Sequence, residues 1–449
     1  MSVGAPSRSS SDDTPSASTP LLTRGDLPWL GVALGAAVAL RVAWVLYVNV
    51  DPLDGRFDDS VFYHRVAILL ADGHGYVDPW GGGLTAQWPP AYPATLAVLY
   101  KVLWADLLWA KALNLAFALI TVVLVYLMCR RIFDRRVAYA AALVLAFFPG
   151  QIYFTTLVFS EIMFAAVFML ILLLTLVWTV ERQDGRVWQV LLLGFLVGFA
   201  ALVRAEGLFL AAVLPAMWML TVRPWRRVAG YAVLLALGTV VALTPWTARN
   251  MIQLDDFIVI RSNGDNALSR ALDPDAPELD TSTAPVRSPS EGLQYQLTHP
   301  HRALGYAAEK LGDFYGNDSE AIFLITFRRD PDPNPNYERP FSLDAQHRWS
   351  GLADRFYFAV GGAALTGAAL CLWRRQRAVV VLILPVVAWT LVFAFFNPVS
   401  RYHFPLAPIM AIFTGVFLIS AWDASGAFLG SRLSFGARAS REDRVAPTP

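Results

Sequence analysis

Long apolar runs, separated by short charged or proline-rich connections, organise the chain between Leu27 and Trp422. The first is Leu27 to Val50. Others lie near Leu107–Met128, Val137–Leu157, Ile162–Val180, Val187–Val203, Gly207–Val222, Val228–Trp246, Arg355–Trp373, Ala378–Phe396 and Phe404–Trp422. A membrane-crossing helix needs about 20 apolar residues. The pattern therefore predicts an all-α polytopic membrane protein of about ten transmembrane helices. Between the first two runs, Ser60 to Asp72 carries Phe62, Val66, Leu69 and Leu70 at helical spacing. That spacing predicts a helix lying at the membrane interface, with Asp58 and Asp59 at its N-terminus. A second stretch with helical spacing, "HPHRALGYAAEKLGDFYG", falls in a long connection from Asn250 to about Asp354.

Composition sharpens this reading. Of the 449 residues 56% are apolar and only 16% charged, with a mean hydropathy of +0.47, which suits a surface facing lipid. The formal net charge of +1 and the lack of a basic, aromatic-interleaved tract point away from a nucleic-acid partner. Dense positive charge sits in "CRRIFDRR", "ERQDGR", "RPWRR", "WRRQR" and the tail after Asp423. These alternate with connections lacking such clusters, so they are expected on the cytoplasmic side, with both termini. Residues 1–26, rich in Ser, Thr and Pro, read as a disordered cytoplasmic tail. Residues 27–422 read as one transmembrane domain, with outer loops at 51–106 and 250–354, and residues 423–449 as a basic cytoplasmic tail. Cys129 and Cys371 fall on the cytoplasmic side, where a disulfide is not expected.

The candidate chemistry gathers on the opposite face. "RFDDSVFYHR" and "GHGYVDPWGGGLTAQWPPAYP" lie in the first outer loop; "FSEIMF", "RAEG", "TPWTARN" and "NPVSRYHFP" follow in later outer connections. Short outer connections need no buried Glu or Arg, so this recurrence points to one shared site. Asp58 and Asp59 read either as helix N-caps or as a carboxylate pair supplying a general base. Arg204, Arg249 and Arg401 read either as headgroup anchors or as guanidinium ligands of a phosphate. Glu161, opening a span, reads as a dipole-stabilised helix-start acid, a partner for sugar hydroxyls, or an aid to a metal. Tyr63, His64, Trp88 and Tyr402 flank these groups and complete the candidate site. His64, His74 and His403 lack metal-ligand spacing and read as hydrogen-bonding groups. No motif specifies a cofactor, and a divalent cation (Mg or Mn) is left open. Arg41, in the middle of the first span, reads as a structural residue paired inside the bundle.

The order "D-D…Y…G-x-G-Y…PPAYP…SE…R-x-E-G…PWTARN…RYHFPLAP" resembles bacterial members of the protein O-mannosyltransferase-like group. These are GT-C superfamily glycosyltransferases, related to the aminoarabinose transferases of lipid A. The resemblance covers about Leu27 to Trp422. It implies transfer of a sugar from a polyprenyl-phosphate donor to an extracytoplasmic acceptor, which is glycan, protein or lipid, with inversion. It implies Asp58 as general base with Asp59 as companion, and Arg249, Arg401 and Arg204 as holders of the donor phosphate. One departure is that Trp88 precedes Pro89 and Pro90 where aminoarabinose transferases carry a lysine. A lipid or polysaccharide transporter without chemistry is the rival expectation. Such proteins tend to place charge near the midplane of two repeated halves, whereas this sequence gathers it at one face and shows no repeat.

Overall fold

The computed structural model describes residues 22–48, 58–262, 264–273, 287–326, 341–396 and 399–442, the side chains of 58, 264–267 and 427–442 apart. Much of the predicted N-terminal tail, and residues 274–286 of the "LDPDAPELDTSTAPVRSPS" stretch, lie outside the described residues. Seventeen α-helices and several short 3-10 turns make up the described chain, without a β-strand among the described residues.

Helix α1 (Leu27–Val48) buries one stripe, Leu30, Ala33, Ala37, Arg41, Trp44 and Val48, and presents Val32, Leu46 and Tyr47 outward. α2 (Asp58–Ala71) and α3 (Ala91–Val102) form a pair in the connection between the first two spans. α4 (Leu107–Ile132) follows, then the bent pair α5 (Arg135–Ala146) and α6 (Pro149–Tyr153). α7 (Glu161–Thr175) is apolar all round and almost wholly buried, which makes it the central helix. α8 (Val187–Val203), α9 (Leu210–Thr221) and α10 (Trp225–Leu254) continue the bundle. The long connection after α10 folds into α11 (Gly264–Leu272), α12 (Pro289–Thr298), α13 (Pro300–Tyr315) and α14 (Glu320–Thr326). α15 (Leu343–Trp373), α16 (Val380–Phe395) and α17 (Ala407–Glu442) complete the chain.

Among the described residues, seven helical segments are long and apolar enough to cross a membrane, and the bent α5–α6 pair makes eight. The two shorter apolar segments, Val187–Val203 and Ala205–Thr221, occupy the remaining two predicted positions. The break after α5 has a visible cause. Pro149 cannot continue the ladder, and Arg41 Nη1 donates to the Ala146 carbonyl (3.2 Å) at the broken end. This is the internal partner that a mid-span arginine requires.

Small residues bring the helices together. A Cβ on Gly194 of α8 would overlap the Leu235 carbonyl oxygen of α10, and one on Gly238 would overlap the Leu191 carbonyl oxygen in return. Gly367 of α15 meets the Phe413 carbonyl of α17 in the same way. Without a hydrophobic drive between lipid-embedded helices, such close backbone approach supplies the packing.

The arginine-rich connections share one end of the bundle. There Arg136 pairs with Asp423 (2.8 Å), Arg131 with Glu181, and Asp26 receives Arg130, Arg135 and Tyr126 at 2.9, 2.9 and 3.0 Å. Arg24 to Asp26, assigned to the tail on composition, thus form a 3-10 turn whose aspartate is fully buried. At the other end, α2 is more deeply set than an interfacial helix needs to be. Phe62, Tyr63, His64, Val66 and Ala67 are all buried and Arg65 is exposed. α13 is a helix as its spacing predicts, and its far end enters the bundle, where Phe314 stacks on Phe393 (4.9 Å). Lys310 holds it there, donating to the Ala271 and Phe395 carbonyls at 2.5 and 2.8 Å near the ends of α11 and α16.

Gly238→Ala should therefore separate α8 from α10. The clash is with backbone on both sides, so we expect a lower thermal midpoint in detergent, on the order of 1–3 kcal/mol of overpacking. Gly230→Ala, on the same helix with open space around it, should leave the midpoint unchanged. Equal midpoints for the two variants would refute the close-packed crossing.

Candidate active site

The end opposite the arginine-rich connections holds a cleft of about 370 Å³, lined by Asp59, Tyr63, Trp88, Ser160, Arg204, Glu206, Arg261, Arg401 and Tyr402, among others. Each element places its residue for a local reason. Asp59 and Phe62 lie three residues apart on the first turns of α2 and so share a face. Trp88 sits against that face, its ring 4.3 Å from Phe62 and its Nε1 donating to Asp59 Oδ1 (3.0 Å). Ser160 and Glu161 open α7; Arg204 ends α8, where its backbone has turned extended. Arg401 and Tyr402 lie in the 3-10 turn Ser400–Leu406 before α17, and Arg261 follows the end of α10.

Charge pairing ties the site together. Arg401 Nη2 lies 3.2 Å from Asp59 Oδ2, and its Nε lies 3.5 Å from Glu320 Oε1 and 3.8 Å from Glu161 Oε1. Its guanidinium also rests on the rings of Phe159 and Tyr402. Arg204 Nη1 lies 2.6 Å from Glu161 Oε1 and its Nη2 lies 3.5 Å from Glu206. Burial works against the Arg204 charge, but Glu161 and Glu206 more than offset it and its pKa is raised. Burial, reinforced by Asp59, lifts the Tyr63 phenol well above its usual range, so Tyr63 stays a neutral hydroxyl beside Ser160. Glu161 is 1% exposed, and neither of its oxygens accepts a well-directed hydrogen bond despite the short approach of Arg204. Arg261 also lines the cleft, and among the described residues its side chain has no hydrogen bond or ion pair.

Of the residues singled out in the sequence, Asp59, Arg204, Arg401, Glu161, Tyr63, Trp88 and Tyr402 come together here. Asp58 begins α2 immediately before Asp59, and its side chain lies outside those described. His64 is buried between helices, its Nδ1 2.8 Å from Tyr100 Oη, away from the cleft lining. Arg249 is also elsewhere. Its Nη1 donates to the Thr85 carbonyl (2.7 Å) and Asn250 Oδ1 (2.9 Å), its Nη2 to the Tyr76 carbonyl (2.7 Å), and it stacks on Trp246. It is a clamp on the loop between α2 and α3, whose Trp88 it thereby helps to place. Two residues of the site were not found by sequence reasoning. Arg261 carries no motif. Glu320 opens α14 in "SEAIF", the same Ser-Glu helix start as "SEIMF", and that repetition was the available signal. Among the described residues no group of three His, Cys, Asp or Glu is placed to hold a metal ion.

Comparison with known proteins agrees with this architecture. A family model for dolichyl-phosphate-mannose-protein mannosyltransferases matches residues 87–247. The solved structure of ArnT from Cupriavidus metallidurans bound to undecaprenyl phosphate is similar at 15% identity and a TM-score of 0.52, covering 94% of this chain and 66% of that one. The apo oligosaccharyltransferase of Archaeoglobus fulgidus is similar at 14% identity and a TM-score of 0.53, covering 91% of this chain. The chain spans 52% of that enzyme's length. No curated protein sequence matches. At these identities the likeness is one of fold, an all-α membrane-helix bundle shared with ArnT and the oligosaccharyltransferase.

The clamp is testable without substrate. Arg249→Ala removes both carbonyl contacts to the first outer loop, and limited proteolysis between Val77 and Leu84 should accelerate by about tenfold. Arg249→Lys should restore only part of the protection, because a point donor cannot span two carbonyls as a planar fork does. Unchanged cleavage in Arg249→Ala would show that the loop is held by other contacts.

Proposed function

We propose that this protein transfers a sugar from a polyprenyl-phosphate-linked donor to a hydroxyl of an extracytoplasmic acceptor, with inversion at the anomeric carbon. The observation that carries this reading is the convergence of Asp59, Arg204, Arg261 and Arg401, from four separate elements, on one cleft at the end away from the arginine-rich connections, with Glu161 paired to Arg204 and Arg401 behind its lining. Positive connections favour the cytoplasmic side, so the cleft opens outward with both termini inside. The undecaprenyl phosphate held by ArnT supports a lipid-linked donor, whose phosphate stays at the interface while the acceptor arrives from water.

In this mechanism the acceptor oxygen attacks the anomeric carbon, and the bond from that carbon to the phosphate oxygen breaks. Asp58 takes the acceptor's proton. Asp59 is committed to Trp88 and Arg401, and so serves as a fixed companion rather than the base. The departing phosphate takes the bonding electron pair, and its charge falls to cations. Arg401 and Arg204 are already matched by carboxylates, and Arg249 by carbonyls. Arg261 has charge to give, so it is the principal phosphate ligand, with Arg204 beside it. Glu161 offers acceptor oxygens to sugar hydroxyls, and Trp88 and Tyr402 supply flat apolar walls. This assignment gives the phosphate to arginine, in keeping with the tryptophan at position 88 where the aminoarabinose transferases have lysine.

The test is sugar transfer from polyprenyl-phosphate-linked donors by the purified full chain. Loss of a general base costs on the order of 10²–10⁴-fold, and Asp58→Asn should show it, since asparagine keeps the shape of aspartate and suits a helix start about as well. Asp59→Asn should cost less. Arg261→Ala should raise the donor concentration needed by about tenfold, and Arg261→Lys should recover part of this. Near wild-type turnover in a folded Asp58→Asn enzyme would remove Asp58 as the base. Normal donor dependence in Arg261→Ala would return the phosphate to Arg204 and Arg401. Absence of transfer by the wild-type chain from any such donor would sink the reading as a whole.

A further inference from the structure

A second polar cluster lies behind the cleft, in the interior, and takes no part in the chemistry above. His403 Nδ1 is 2.7 Å from the Phe314 carbonyl, which can only accept, so Nδ1 carries hydrogen. His403 Nε2 is 3.2 Å from Asp318 Oδ1, and both side chains are buried. Asp318 Oδ2 accepts from Gly150 N (3.1 Å), and a Cβ at Gly150 would overlap the Asp318 carboxyl group. Asp354 holds the same turn, accepting from Asp318 N (2.8 Å) and Ser319 Oγ (3.2 Å), while the Tyr357 ring stacks on His403 at 4.6 Å. The cluster thus joins the 317–320 turn at the end of the long outer connection to the 400–403 turn that carries Arg401.

The same two turns meet again at the cleft. Glu320 Oε2 accepts from Arg401 N (2.6 Å) and Ser400 Oγ (2.7 Å), and Ser400 Oγ lies 3.0 Å from Asn317 Oδ1. Glu320 is two residues from Asp318, and Arg401 is two residues from His403. A shift of either turn would therefore move Glu320 against Arg401, and Arg401 against Asp59. We propose that Asp318 and His403 are positioning residues of the cleft: their buried contact fixes the register of these two turns and so aims Arg401 at Asp59. Neither residue lines the cleft, so they act through Arg401 and not on substrate.

This inference rests on the proposed transferase reading only for its activity arm. The first arm needs no substrate: amide hydrogen exchange across 317–322 and 399–404 in the full-length chain in nanodiscs. Asp318→Ala should speed exchange in both turns by about tenfold, whereas Asp318→Asn should stay within about threefold of wild type. Asparagine can donate to a neutral His403 Nε2 and still accept from Gly150 N. If Asp318→Ala cannot be purified, His403→Gln carries the same expectation, since it loses the contact to Phe314. The second arm is a double-mutant cycle on turnover. Asp318→Ala should lower kcat by about tenfold in the wild-type background and by no more than about twofold when Arg401 is already alanine. Unchanged exchange in both turns, or fully additive losses of kcat, would overturn the proposal. A wild-type chain that transfers no sugar would defeat the functional reading and leave the exchange arm to decide this one.

Discussion

The site depends on one half-buried cation surrounded by carboxylates from three distant parts of the chain. Arg401 meets Asp59 at the start of α2, Glu161 at the head of the central helix and Glu320 at the start of α14. A guanidinium removed from water must recover its hydration from neighbours, and here those neighbours arrive from α2, α7 and α14. Truncating Arg401 would leave Asp59 and Glu320 without their shared cation and Glu161 with Arg204 alone. The same requirement explains why the outer connections are folded against the bundle end rather than projecting from it.

Packing inside the bundle answers a different constraint. Apolar side chains gain little by choosing one another over lipid, so the helices are held by backbone proximity at Gly194, Gly238 and Gly367 and by pinned polar groups such as Arg41 on Ala146. These contacts fix the helix ends, and the helix ends carry the cleft residues. Arg204 can meet Glu161 only because α8 stops where α7 starts.

Much of this was legible in the sequence. The spans follow from apolar run length, because a span's length and composition are local properties of the chain. Asp59, Glu161, Arg204 and Arg401 were visible because each is a charge at a span boundary. Arg249 carries the same signature and is set against loop carbonyls, outside the cleft lining. A helix-end arginine beside a loop looks identical whether it faces a cleft or loop carbonyls, and only folding of the residue 76–88 loop distinguishes them. Glu320 and Arg261 were hidden for the converse reason. They lie within the long connection, where no membrane boundary marks them, and their position depends on contacts made about 80 and 170 residues away in sequence. Asp26 was obscured by the composition around it.

Asp26 also bears on how the chain can be handled. The turn from Thr23 to Asp26 lies at the very start of the first apolar helix, yet its carboxylate serves Thr23, Tyr126, Arg130 and Arg135 together. A shortened version cut just before Leu27 would keep every apolar residue of the bundle and still leave two arginines and a buried phenol without their common acceptor. Fusion partners and affinity tags therefore belong upstream of Thr23, with enough slack to let that turn close.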